Sequence, residues 1–240
     1  MKIFIPIPVW KRPEVFLDCL KGMKRFVRRS MRYQITVIPY FILSPEDYYY
    51  KLNSHLVQSF KFNWCTYKNL PVGEKMNAGI NLALEIIEFD YLMNCGSDNI
   101  INPEIWKIYK PLMKQERQLF GLRNFYCYGT VEDQAIYFDN YNKNRAIGTA
   151  RMIHSRSIQR LKKLKIQLYD NDLDSGLDTD SGKRLLKNCN ITEKVINSKY
   201  PYTLGIKSAT NINPFISLMN RKEKITNVEF NDIKKYFYDK

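Results

Sequence analysis

The chain has 240 residues, 45% of them hydrophobic, enough for one substantial core and a C-terminal appendage. No run approaches the roughly 20 continuous apolar residues of a membrane-spanning helix, and two histidines with five widely spaced cysteines argue against a zinc site or a disulfide framework. The formal charge of +14, from 38 Lys and Arg against 24 Asp and Glu, favours a phosphate-bearing partner: nucleic acid, an anionic membrane surface or a diphosphate substrate.

The opening residues read as a strand, not a cleavable signal, so the expected location is cytoplasmic. Ile3, Phe4, Ile5 and Ile7 predict burial, with the strand ending or distorting at Pro6 and Pro8. Residues 14–30 follow as a helix whose apolar stripe is Val15, Phe16, Cys19, Leu20, Met23 and Phe26. The basic run KGMKRFVRR lies mostly off that stripe. YQITVIPYFIL predicts a second strand, SPEDYYYKL begins a helix, and FNWCTYKN holds a short third strand. Met76, Ile80, Leu82, Ala83, Ile86 and Ile87 mark the buried face of the next helix, and YLMNC a further strand. This alternation predicts an α/β fold with a mainly parallel central sheet flanked by helices, binding its ligand outside the carboxyl ends of the strands.

Beyond the sheet core, PEIWKIYKPLM predicts a helix, and QLFGLRNFYCYG and DQAIYFDNY predict neighbouring strands joined by a glycine-containing turn. IGTARMIHSRSIQRLKKL enters another helix, and LYDNDLDSGLDTDSGKRLLKN is an acidic loop that returns into helix. Turns at SKYPY and NINPF and a terminal helix complete the chain.

The segment GSDNIINP, at the end of the YLMNC strand, carries the main chemical signal. The carboxylate of Asp98 could hold Mg2+ or Mn2+ against diphosphate oxygens, with Asn99 orienting water or sugar hydroxyls. The alternative is a structural turn in which Ser97, Asp98 and Asn99 accept backbone N–H bonds.

Three stretches together resemble the GT-A glycosyltransferases, in particular the family 2-like group of nucleotide-sugar enzymes: IFIPIPVWKRPEVF, GEKMNAGINLAL and GSDNIINP. A weaker likeness continues through RAIGTARMIHSRSIQRL. The resemblance implies a GT-A-like layered fold, with residues 1–186 forming the nucleotide-sugar and acceptor-binding catalytic domain and 187–240 an extension packed on it. It implies a donor and phosphate side formed by Pro8, Arg12, Lys75, Asn77, Gly79, Ser97, Asn99 and Arg151. It also implies a Mn2+ or Mg2+ ion on Asp98, with His154 a second candidate ligand, and an acceptor side with Gly148 and Arg156. The sequence departs from the family pattern where Gly96 and Asn99 stand at positions that are commonly acidic.

An inverting sugar transfer needs a base for the acceptor hydroxyl. Asp178 and Asp180 in the DTD segment are the candidates, with Asp172 and Asp174 as neighbours, and Glu46 or Asp47 could meet the nucleobase. The expected function is therefore transfer of a sugar from a nucleotide-sugar donor to an acceptor such as DNA or an envelope saccharide. A nucleotidyltransferase and a non-catalytic basic nucleic-acid-binding module are the alternatives. The basic helix at 21–29 is the candidate surface for nucleic acid or for peripheral contact with an anionic membrane.

Overall fold

The computed structural model describes residues 1–139, 145–211, 215–220 and 224–238. The first half alternates strand and helix: β1 (Lys2–Pro8), α1 (Pro13–Ser30), β2 (Thr36–Leu43), α2 (Tyr50–Ser59), β3 (Asn63–Thr66), α3 (Val72–Ile86) and β4 (Tyr91–Met93). Then follow β5 (Asn99–Ile101), α4 (Trp106–Lys114), β6 (Leu119–Leu122), β7 (Phe125–Gly129), β8 (Gln134–Asp139), β9 (Met152–His154), α5 (Ser155–Lys163) and α6 (Leu177–Cys189). The chain ends in β10 (Glu193–Ile196), β11 (Thr203–Lys207), α7 (Phe215–Met219), β12 (Lys224–Val228) and α8 (Phe230–Tyr238).

The central sheet has the order β10-β6-β9-β4-β1-β2-β3, and its pairings are parallel except where β9 runs antiparallel between β4 and β6. This is the mainly parallel sheet that the alternation predicts. β1 alternates faces in the way a strand must. Ile3, Ile5 and Ile7 pack with α1 and α4 on one side, and Phe4 packs with α3, α5 and α6 on the other. The expected break at Pro6 does not occur, and the strand continues to Pro8. Its pairing with β4 stops at Phe4, so both prolines lie where the ladder is made with β2 alone and a missing N–H costs little.

A second sheet, order β12-β8-β7-β11-β5, is mostly antiparallel and was not legible as a sheet in the sequence. β7 and β8 form the expected neighbouring pair, whereas β6, read as continuous with β7, belongs to the central sheet. Residue 186 falls inside α6, and the following segment supplies β10 to the central sheet and β11 to the second one. α8 covers one face of that second sheet through Ile233 and Phe237, and α7 covers the other through Phe215 and Leu218. The expected terminal helix is α8, and the expected turn at NINPF lies largely outside the described residues. The cysteines are free thiols.

Part of the basic sequence is spent on this packing. Arg25 is buried and donates to the carbonyl of Tyr236 in the last turn of α8, and Arg160 donates to the carbonyl of Asn188 at the end of α6. The run at 21–29 is therefore not a continuous solvated cationic face. Among the described residues no helix is long and apolar enough to cross a membrane.

A polar relay crosses the α1–α4 contact inside the core, beside the stacked rings of Phe26 and Trp106. The indole N–H of Trp106 donates to Ser30 Oγ at 2.7 Å, and that hydroxyl donates to the Phe26 carbonyl at 2.6 Å, with Ser30 and Trp106 fully buried. Ser30→Ala leaves the indole donor without a partner and is expected to cost about 1–3 kcal/mol. Chemical denaturation should show the loss, and an unchanged midpoint would refute the relay's role.

Candidate active site

β4 and β5 are consecutive strands in different sheets, and the chain passes between them through Asn94–Asp98. A cavity of about 260 Å3 opens at this crossing, outside the carboxyl ends of β1 and β4. It is lined by Pro8, the strand-end residues Asn94 to Gly96, Asp98 and Asn99, and Gly148, Thr149, Tyr169 and Asp178. Phe125, Gly205 and Lys207 come from the second sheet.

The acidic side chain at the crossing is held by cations. Asp98 Oδ2 accepts from Lys207 Nζ at 2.8 Å, from Asn211 Nδ2 at 2.7 Å and from Arg12 Nη1 at 3.4 Å. Burial alone would push the Asp98 pKa up, but the charges of Lys207 and Arg12, with the hydrogen bonds from Lys207 and Asn211, hold it below the ordinary carboxylate value. The same pair works in reverse on Lys207: burial disfavours its charge, and Asp98 more than compensates, so its pKa is raised. Asp98 and Lys207 side chains are only 13% and 16% exposed, so water screens the pair weakly.

Local backbone geometry delivers Arg12. Lys11 and Arg12 are consecutive non-glycine residues in the left-handed region, φ 56° and 53°, each costing on the order of 1 kcal/mol. Asp47 offsets this by accepting the Lys11 N–H, while its other oxygen takes the N–H of Tyr49 at 2.9 Å. Pro13 then starts α1. Arg12 Nη2 also reaches Ser97 Oγ at 3.4 Å. Gly96 lets the turn close, since a Cβ there would lie 2.8 Å from Asp98 Oδ1, and its N–H donates to Asn99 Oδ1 at 3.0 Å. Asn99 Oδ1 also accepts from Thr149 Oγ1 at 2.9 Å, which fixes the amide.

The opposite wall carries Asp178 in the first turn of α6. The expected acidic loop has already become helix there. Its carboxylate has no hydrogen-bond partner among the described residues and rests against Gly148, where a Cβ would fall 1.8 Å from Asp178 Oδ2. Burial raises its pKa above the ordinary value, an effect that the charge of Arg151 only partly opposes. Tyr169 donates its hydroxyl to Asn94 Oδ1 at 2.9 Å, while Asn94 Nδ2 lacks a partner among the described residues.

The other residues expected at the site are engaged within the fold. Lys75 is fully buried, and its three donors are all taken by Val9 O, Ser44 Oγ and Asn69 Oδ1, at 2.8, 2.7 and 3.2 Å. Burial lowers its pKa to about 8. Asn77 ties α3 to Tyr169 and Asn171, and Gly79 admits the Ile42 side chain. Arg151 is fully buried and donates to the carbonyls of Asp178 and Ala146, so it supports the Asp178 backbone from beneath. Asp180 is bound by Arg184 at 2.8 Å and accepts the Asp170 N–H. Asp174 caps the Val72 N–H, and Glu46 accepts from the Asn69 N–H.

His154 and Arg156 are placed away from the cavity. His154 pairs with Tyr91 at the start of β4, the end of the strand opposite Asp98, and its Nδ1 accepts the Arg156 N–H as the cap of α5. Arg156 forms an exposed ion pair with Glu116 at 2.8 Å. Lys207, Asn211, Asn94, Thr149 and Tyr169 are the contributors that sequence reasoning missed. Lys207 and Asn211 meet Asp98 across 109 and 113 residues with no local spacing to announce them, whereas Asn94 and Thr149 adjoin Cys95 and Gly148 in stretches the sequence had singled out.

The donor set at Asp98 does not suit a resident divalent ion. Its Oδ2 is engaged by two cationic side chains and an amide, and no group of three or more His, Cys, Asp or Glu side chains gathers anywhere among the described residues.

No family model matches the sequence, and no curated protein matches it. Solved structures do. A crystal structure of S. aureus TarS residues 1–349 superposes with a TM-score of 0.58 at 15% identity, covering 86% of this chain. The same fragment in complex with UDP-GlcNAc gives 0.50 at 14% identity and 88% coverage. The inositol-1-phosphate CTP transferase from T. maritima gives 0.53 at 12% identity, covering 90% of this chain and 94% of that one. The chain spans 60% of the length of the TarS fragment. It has the GT-A-like α/β fold shared by nucleotide-diphospho-sugar glycosyltransferases and nucleotidyltransferases.

The Asp98–Lys207 pair predicts a defined pH window of stability. Asp98 titrates below its ordinary 3.8 and Lys207 above its ordinary 10.5, so the pair's contribution is complete between those values. It is lost as pH falls through the Asp98 pKa or rises through that of Lys207. Asp98→Asn, which strands both cations, is expected to lower stability at pH 7 by about 3 kcal/mol. Equal melting temperatures of wild type and Asp98→Asn at pH 7 would contradict this.

Proposed function

We propose that the protein transfers a sugar from a nucleotide-sugar donor to an acceptor hydroxyl. The carrying observation is Asp178: a carboxylate with no hydrogen-bond partner among the described residues, with a raised pKa, in the wall of the same cavity that holds the cationic Asp98 cluster. A hydroxyl acceptor must lose its proton as it attacks, and a carboxylate placed in this way can take it. In that step the acceptor oxygen forms a bond to the anomeric carbon and the proton passes to Asp178. The bond from that carbon to the diphosphate oxygen breaks, and its electron pair leaves with the nucleoside diphosphate. Support also comes from TarS, whose structure was solved with UDP-GlcNAc.

Nucleotidyl transfer is the second reading, favoured by the close match in length to the T. maritima CTP transferase. A phosphate nucleophile is already anionic and needs no base, which leaves Asp178 without a task. The two reactions separate by product. Sugar transfer releases a nucleoside diphosphate from a nucleotide sugar, and nucleotidyl transfer releases pyrophosphate from a nucleoside triphosphate. The acceptor proposed from sequence, DNA or an envelope saccharide, is tested by offering each to the enzyme with labelled donor.

Asp178→Asn is expected to reduce nucleoside diphosphate release by roughly 10²- to 10⁴-fold with donor affinity unchanged. Gly148→Ala, which displaces that carboxylate, should act in the same direction. The base must be ionised, so kcat/KM should rise with pH through a value above the ordinary Asp 3.8. Full turnover by Asp178→Asn would remove the proposal's main support.

A further inference from the structure

We infer that Lys207, with Arg12 beside it, supplies the fixed positive charge that meets the donor's diphosphate, so that the donor binds without a divalent ion. This rests on the donor-site reading above and deepens it. The ammonium carries three donors, and one is used on Asp98 at 2.8 Å. The remaining two are available to anionic oxygens, in contrast to Lys75, whose three are all consumed inside the core.

Charge balance points the same way. Lys207 and Arg12 together bring the charge of a divalent ion to one carboxylate, leaving the cluster with a net single positive charge. A metal ion added at Asp98 would displace these groups or sit against their like charges at close range. The site is also preorganised. Lys207 lies on β11, whose backbone is paired with β5 and with β7, and the Ile206 N–H donates to the Asp98 carbonyl at 2.7 Å. A lysine held in this way needs little reorganisation when negative charge develops on the departing diphosphate. Lys207 and Asp98 both line the cavity, on the wall formed with Gly96 and Gly205. Its pKa is raised by Asp98, so it stays cationic throughout the neutral range.

The test is calorimetric titration of the full chain with UDP, GDP, CDP and dTDP and with the matching monophosphates, in EDTA and in Mn2+. At least one diphosphate should bind with equal affinity in both buffers. Lys207→Ala should weaken that diphosphate by about tenfold or more while leaving its monophosphate unchanged, and Lys207→Arg should restore most of the loss. A purely structural lysine would weaken both nucleotides alike, and that result would overturn the inference. Binding abolished by EDTA and recovered with Mn2+ overturns it too, even in wild type, while leaving the donor site standing. Absence of binding by every nucleotide in both buffers removes the donor site and this inference together.

Discussion

The ionic cluster on Asp98 is the constraint around which the site is built. Its three donors come from residues 12, 207 and 211, so the turn after the first strand and the end of β11 with the residues that follow it converge on one carboxylate oxygen. A largely enclosed carboxylate without those partners would be costly, and two largely enclosed cations without the carboxylate would be costlier still. The cluster therefore locks together the two sheets at the point where the chain passes from β4 to β5. The left-handed turn at Lys11 and Arg12 is tolerated because it completes this cluster and because Asp47 anchors it.

The cavity is a product of that crossing. One wall belongs to the carboxyl ends of β1 and β4, where a parallel sheet leaves backbone groups and side chains free to meet a ligand. The second sheet adds Lys207 to that side, beside Asp98, and α6 brings Asp178 to the opposite side. The two charged walls have opposite character: a cationic cluster on one side and a carboxylate on the other. Arg151 sits beneath the acidic wall and holds the Asp178 backbone in place.

The large positive charge divides into uses that composition alone does not distinguish. Arg25 and Arg160 satisfy helix-end carbonyls, Arg151 satisfies buried ones, and Arg12 and Lys207 pair with Asp98. An arginine donating to a helix-end carbonyl and one facing a phosphate are alike in sequence, because both require only a flexible cation near a polar group.

The central parallel sheet, α1 to α4 and the strand-end position of Asp98 could be read from period and order, since burial on both faces forces continuous apolar strands and helix stripes recur at 3.6 residues. Gly148 and Asp178 were recognisable as candidates from a family-like pattern, and the structure places them in contact. What the sequence could not decide was which charged residues meet. Lys75 lies in one of the two most family-like stretches and is consumed in the core, whereas Lys207, in a segment with no motif, faces the cavity. Local pattern is set by neighbours along the chain, whereas Lys207 meets Asp98 across 109 residues through β11–β5 pairing. Such a contact exists only once the second sheet has formed, and so tertiary structure alone assigns it.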